Sequence, residues 1–209
     1  MSNPWLTIPL SDYEGHMSLP SIGQADMLAS QFAALLAEFS PTSIAVIGCA
    51  GGNGFDRVSP DVTKRIVGID INPHYIEELS NRYAGRIPGL ELYVGDIQDP
   101  TFSFEPVDLI YAALVFEYVE AEPTLKSLRS ICRANGVLAV VLQLPSKSVA
   151  AVSPSPFASL QALCPAMRLL SPNTLCAQAQ QAGFALTASH TLSSSGKDFA
   201  LLAFQVSPG

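Results

Sequence analysis

Charge is scarce in this chain of 209 residues: 14% are Asp, Glu, Lys or Arg, against 48% hydrophobic. That balance excludes global disorder, because enough apolar surface is available to offset the entropy of ordering the chain. Basic residues are scarcer still, eleven against eighteen acidic ones, with a net charge of −7 and no run of Lys or Arg. A nucleic-acid surface needs clustered positive charge, so neither DNA nor RNA is an expected partner. Long apolar runs are also missing. Stretches such as Gly136 to Leu142 fall well short of the roughly 18–20 residues a membrane helix requires. The opening Met1-Ser2-Asn3-Pro4-Trp5 lacks a basic region followed by an apolar core, so no signal peptide is expected. A soluble, cytoplasmic protein is the reading.

The four cysteines (Cys49, Cys132, Cys164, Cys176) are far apart and form no C-x-x-C pair. Free thiols in a reducing compartment are expected. The three histidines (His16, His74, His190) are equally dispersed, so no metal site is expected.

What is present is an alternation of short apolar runs with helical patterns, which argues for a parallel α/β sheet in one domain. A helix is predicted over Ser21 to Phe39, with Ser21 and Gln24 at capping-box spacing and Ala25, Leu28, Phe32, Leu35, Leu36 and Phe39 on one face. Strands are predicted at Ser43–Gly48, Ile66–Asp70, Leu90–Val94, Val107–Ala112 and Val137–Leu144. Asn72 and Pro73 open a helix that Gly85 can close. A further helix carries Leu125, Leu128 and Ile131 and is expected to end at Asn135-Gly136. Pro145 to Leu170, starting Pro145-Ser146-Lys147-Ser148, reads as a long loop with one short helix, and long loops in compact domains are often functional. Ser171-Pro172 begins a last helix, ended by Gly183. Strands Phe184–Leu192 and Phe199–Val206 finish the chain. Too few residues separate them for a parallel crossover, so they pair antiparallel if they pair directly.

The strongest local signal is Val46-Ile47-Gly48-Cys49-Ala50-Gly51-Gly52-Asn53-Gly54, directly after a predicted strand. Glycines there let the backbone turn sharply and approach a ligand. Asp70 ends the next strand, where a carboxylate can accept both hydroxyls of a ribose. A dinucleotide turn wants G-x-G-x-x-G, but Ala50 holds the second glycine position, and starting from Gly52 puts Arg57 at the third. A ligand with a ribose and no phosphates fits better.

This order of motifs resembles the S-adenosylmethionine-dependent methyltransferases of the Rossmann-like class (class I), over roughly Ser43 to Val206. The resemblance implies a three-layer sandwich with a mostly parallel seven-stranded sheet ending in an antiparallel hairpin. It implies that Gly48, Ala50, Gly52 and Asn53 wrap the methionine portion of the cofactor, that Asp70 with Ile71 holds the ribose, and that Asp96 with Ile97 meets the adenine. Leu114-Val115-Phe116-Glu117-Tyr118-Val119 is similar to the family's segment beside the transferred methyl. Within one domain over 1–209, residues 1–40 are expected to form a lid segment and helix, 41–144 the cofactor-binding half, and 145–209 a substrate-side loop and hairpin. One departure stands out: the family usually has an acidic residue where this chain has Val46, which bears on how the cofactor tail is held.

Each residue also has a plainer use. Asp70 suits a strand-end carboxylate, Gly48 and Gly52 a tight turn, and Gly95-Asp96 ordinary turn chemistry. Glu117 and Tyr118 suit either substrate contact or an exposed helix edge; His74 and Asp108 are expected to be structural. Asp12-Tyr13-Glu14-Gly15-His16-Met17 is too polar and irregular for core, and is read as either a mobile tail or a flap placing Tyr13 and His16 at the active site. Gln143 is a candidate substrate contact at the carboxyl edge of the sheet. Tyr13, His16 and Glu117 are the candidates to assist proton removal from an acceptor. No Asn/Asp-Pro-Pro-Tyr-type motif follows the fourth strand, where Ala112-Ala113-Leu114-Val115 stands, so a small-molecule acceptor is expected. A non-catalytic cofactor-binding module and a nicotinamide-dependent oxidoreductase are the alternatives. Oligomeric state is not legible.

Overall fold

The computed structural model describes residues 3–146 and 149–207; Lys147 and Ser148 of the predicted loop, with Met1 and Ser2, lie outside the described residues. The strands are β1 (Ser43–Ile47), β2 (Arg65–Asp70), β3 (Leu90–Val94), β4 (Val107–Ala113), β5 (Cys132–Gln143), β6 (Phe184–Ser194) and β7 (Lys197–Val206). They form one sheet in the order β3-β2-β1-β4-β5-β7-β6. The strand order reverses between β1 and β4, which run parallel, and this leaves a crevice at the carboxyl ends of the strands, where open α/β sheets bind ligands. β7 is antiparallel to both β5 and β6. The expected hairpin therefore exists, closed by Ser195-Gly196, both at positive φ as a two-residue turn between twisted strands requires.

The helices are α1 (Leu10–Met17), α2 (Gln24–Phe39), α3 (Pro73–Tyr83), α4 (Ala121–Ser130) and α5 (Pro172–Gln181). Ile44 and Val46 of β1 face a core with Leu28, Phe32 and Leu35 of α2 and Leu79 of α3. Ala45 and Ile47 face the opposite core, with Leu125 and Leu128 of α4 and Leu175 of α5. Both faces of β1 are covered, which is why its sequence is continuously apolar. The result is the expected three-layer sandwich. Asn72 caps α3, its side chain accepting the His74 N–H at 2.9 Å ahead of Pro73. Ser171 caps α5 in the same way.

Three local expectations are corrected. α2 starts at Gln24 after Gly23, whose φ of 61° turns the chain, so Ser21 is not its cap. α4 ends at Ser130, and Asn135-Gly136 fall inside β5, which runs from Cys132. Asn135 adopts φ 63° there, and the β4–β5 register shifts between Val107 and Leu109. The N-terminal polar stretch is α1 rather than irregular chain, with His16 and Met17 buried. Two contacts hold this region down: Asn72 Nδ2 donates to the Trp5 carbonyl at 2.8 Å, and the Tyr75 hydroxyl donates to the Ile8 carbonyl at 2.9 Å. Among the described residues no helix is long and apolar enough to cross a membrane. The predicted 145–170 loop contains one short 3-10 helix, Ala158–Leu163.

Candidate functional site

The crevice at the carboxyl ends of β1, β2, β3 and β4 opens into a cleft of about 710 Å³, its mouth included. Gly48 and Ala50 contribute its floor, Asp70 and Ile71 one wall, and Asp96, Ile97 and Gln98 the next. Gly48 has φ 65°, and a Cβ there would stand 3.0 Å from the Val115 side chain, so both conformation and space call for glycine. Asp70 is 7% exposed. Its carboxylate accepts the Ala50 N–H and the Asn72 N–H, each at 2.9 Å. Burial raises its pKa while those backbone donors oppose the shift. Asp96 accepts the Gln98 N–H at 2.9 Å, which braces the turn after β3.

The roof is aromatic. Trp5 meets Tyr13 and Tyr118 edge to face at centroid distances of 5.5 and 5.1 Å, and Tyr13 stacks on Tyr75. Burial pushes the Tyr13 and Tyr118 phenols well above their ordinary pKa, so both stay protonated. Among the described residues the cleft is lined by two carboxylates and by no Lys, Arg or His.

Residues 45–140 match a family model described as a methyltransferase domain. That match spans just under half of the chain, from β1 into β5. An uncharacterised methyltransferase-like protein of Schizosaccharomyces pombe is 25% identical over 132 residues, 63% of this chain and 48% of that protein. The chain thus matches about half the length of that curated relative. Among solved structures, the N-methyltransferase NodS of Bradyrhizobium japonicum WM9, in complex with S-adenosyl-L-homocysteine, superposes with TM-score 0.66 at 18% identity, covering 91% of this chain and 90% of NodS. The [4+2]-cyclase SpnF superposes with TM-score 0.67 at 13% identity, covering 86% and 81%. These likenesses establish the fold; SpnF shows that the fold also hosts a cyclase.

Gly48, Ala50, Asp70, Ile71, Asp96 and Ile97, all within the matched segment, converge on the cleft together with Tyr13. Gly52 and Asn53 line an adjoining hollow that shares Tyr13 and Ala50 with it. There Glu14 of α1 pairs with Arg82 at 2.6 Å, and Arg82 donates to the Gly51 carbonyl at 2.7 Å, latching α1 to the glycine turn. Val46 is buried in the α2 side of the core.

Glu117 and Tyr118 do not form an exposed helix edge. Glu117 is 1% exposed in the turn after β4, its Oε1 accepting the Gln143 N–H at 2.7 Å and its Oε2 without a partner among the described residues. Burial lifts its pKa to about 7 against the Gln143 donor. Glu117 lies outside the cleft. His16 and Gln143 line a second cavity, separated from the first by Leu114 and Tyr118, which line both. His74 is exposed. Asp108 is structural, accepting from the Thr42 and Ser43 backbone and hydroxyl groups at 2.7–3.0 Å and from Arg133 at 2.9 Å. Sequence reasoning missed Trp5, Tyr75 and Lys197 as lining residues. The one available signal was that Trp5 is the chain's single tryptophan.

Proposed function

We propose that this chain transfers a methyl group from S-adenosylmethionine to a small-molecule acceptor. The observation that carries this reading is the charge of the cleft. Among the described residues, Asp70 and Asp96 face a site with no cation to meet a phosphate, under a roof of aromatic rings. A dinucleotide pyrophosphate would be repelled there. A ribose diol, an adenine edge and a sulfonium cation find acceptors and ring faces. The carboxyl-end placement of Gly48, Ala50, Asp70, Ile71, Asp96 and Ile97 supports cofactor binding by those residues, with Gly52 and Asn53 toward the methionine tail.

The bound cofactor supplies an activated methyl group. The protein aligns the nucleophile with it, and such positioning can supply about 7–11 kcal/mol of the barrier. Tyr13 bears on the cleft directly, His16 lies beyond Leu114 and Tyr118 on the acceptor side, and Glu117 lines a third hollow with Trp5 and Gln98. The acceptor then enters beside the ends of β4 and β5, under α1 and the 149–170 segment. The acidic charge argues against nucleic-acid acceptors, and the cysteine usage suits the cytoplasm. Val46 at the usually acidic position favours one second reading, a module that binds cofactor without turnover.

Calorimetric titration with S-adenosylhomocysteine, with an NAD control, tests the proposal. Saturable binding of S-adenosylhomocysteine and none of NAD is expected. Absence of binding, or binding of NAD instead, would overturn it. Turnover with an acceptor separates the enzyme from the binding module.

A further inference from the structure

Behind Leu114 and Tyr118 lies the second cavity, about 450 Å³ with its mouth included. Six segments build it: α1, Gln24 at the start of α2, the residues after β4, the end of β5, the 151–167 segment, and the start of β7. Leu114, which stands between the two cavities, has φ 57° and donates its N–H to the Val141 carbonyl at 2.9 Å. A leucine held there in the left-handed region is strained, and surrounding structure must enforce it.

Lys197 lines this cavity and is 3% exposed. Its ammonium donates to the Ala151 carbonyl at 2.5 Å and to Gln143 Oε1 at 3.3 Å. It forms no ion pair among the described residues. An ammonium has three donors, so one remains for a ligand. A buried charge held by two neutral acceptors is costly unless something else compensates it. Glu117 does not, because no ion pair joins it to Lys197 among the described residues.

His16 lines the same cavity, is 7% exposed, and has Nδ1 without a partner among the described residues. Burial first and the Lys197 charge second lower its pKa, so the imidazole is neutral and one ring nitrogen can accept. Beside the neutral polar side chains of Gln24, Gln143 and Ser153, the cavity therefore presents a cationic donor and a vacant imidazole acceptor, in a chain whose net charge is −7.

We propose that this cavity is the acceptor site and selects small molecules that carry an anionic group, most simply a carboxylate, for Lys197, beside a hydroxyl or amine for His16. The anion supplies the charge that Lys197 lacks, and the protic group fills the vacant acceptor on His16. Leu114 and Tyr118 then place that acceptor beside the cofactor cleft. This inference rests on the methyl-transfer reading for its purpose, but the anion site can be tested separately.

The test is calorimetry on the full chain with and without saturating S-adenosylhomocysteine. The probes are salicylate, which has both groups, and salicylamide, which matches its shape without the charge. Salicylate is expected to bind about tenfold more tightly than salicylamide, as a charge-assisted hydrogen bond requires. Lys197→Met should abolish the preference while leaving S-adenosylhomocysteine affinity unchanged, and Lys197→Arg should retain part of it. Equal binding of both probes, no binding of either, or a preference that survives Lys197→Met would overturn the anion site. The wild-type comparison stands even if a Lys197 variant fails to fold. A chain that prefers salicylate but ignores S-adenosylhomocysteine keeps the anion site and loses the methyl-transfer reading; the reverse result does the opposite.

Discussion

The carboxylate of Asp70, at the end of β2, accepts the backbone N–H of Ala50 at 2.9 Å and so ties the second strand to the glycine turn after the first. The same side chain accepts the Asn72 N–H and lines the cleft. Asp70→Ala removes the acceptor of both donors and the proposed ribose contact at once. Charged hydrogen bonds of this kind contribute about 1.5–3 kcal/mol. The variant is expected to bind S-adenosylhomocysteine roughly tenfold or more weakly and to lose about 1–3 kcal/mol of stability. Calorimetry and urea unfolding measure the two effects, and unchanged affinity would remove Asp70 from the site.

Trp5 is the single tryptophan and sits in the roof of the cleft between Tyr13 and Tyr118. Its emission therefore reports on the cleft alone. Titration with S-adenosylhomocysteine should change that emission with a midpoint equal to the calorimetric Kd. Trp5→Ala opens the roof and should weaken cofactor binding several-fold. An emission that ignores saturating ligand would mean that the roof takes no part in binding.

Glu117 is buried, and its pKa rises from the ordinary 4.5 to about 7. The folded chain then holds a proton that the unfolded chain releases, so stability falls as pH rises from about 4.5 to 7. The loss is complete above that window and amounts to about 3 kcal/mol at most. Glu117→Gln cannot ionise. Its thermal midpoint should exceed that of the parent chain at pH 8, and the gap should shrink toward pH 5. A gap independent of pH would refute the assignment.

Asp108 behaves in the opposite sense. Burial would raise its pKa, but bonds from Thr42, Ser43 and Arg133 outweigh that and hold it at about 2. Its stabilising contribution is present above the unfolded value near 3.8 and is lost as pH falls through about 2. Solvent screening at this partly exposed site limits the contribution to about 1 kcal/mol. Asp108→Ala should lower stability by about that much in urea unfolding at pH 7 and leave cofactor affinity unchanged.

The sequence by itself determined the layers and much of the proposed cofactor site, because those depend on short-range features. The unbroken apolar run of β1 signals a strand covered on both faces, and Asn72-Pro73 and Ser171-Pro172 mark helix starts through local capping. Gly48 and Asp70 stand out because each follows or ends a strand at a place the parallel fold exposes. Only the tertiary structure decided where β5 begins, since Cys132 joins the sheet through its pairing with Val107 rather than through any local pattern. The same holds for the N-terminal segment through α1, where Trp5, Ile8 and Glu14 are held by Asn72, Tyr75 and Arg82, 67 to 68 residues further along. In the second cavity, proposed as the acceptor site, His16 and Gln143 were legible as candidates and Lys197 was not. His16, Gln143 and Lys197 are ordinary surface residue types in sequence; long-range packing takes each of them out of water, and that burial gives their charge and vacant acceptors chemical weight.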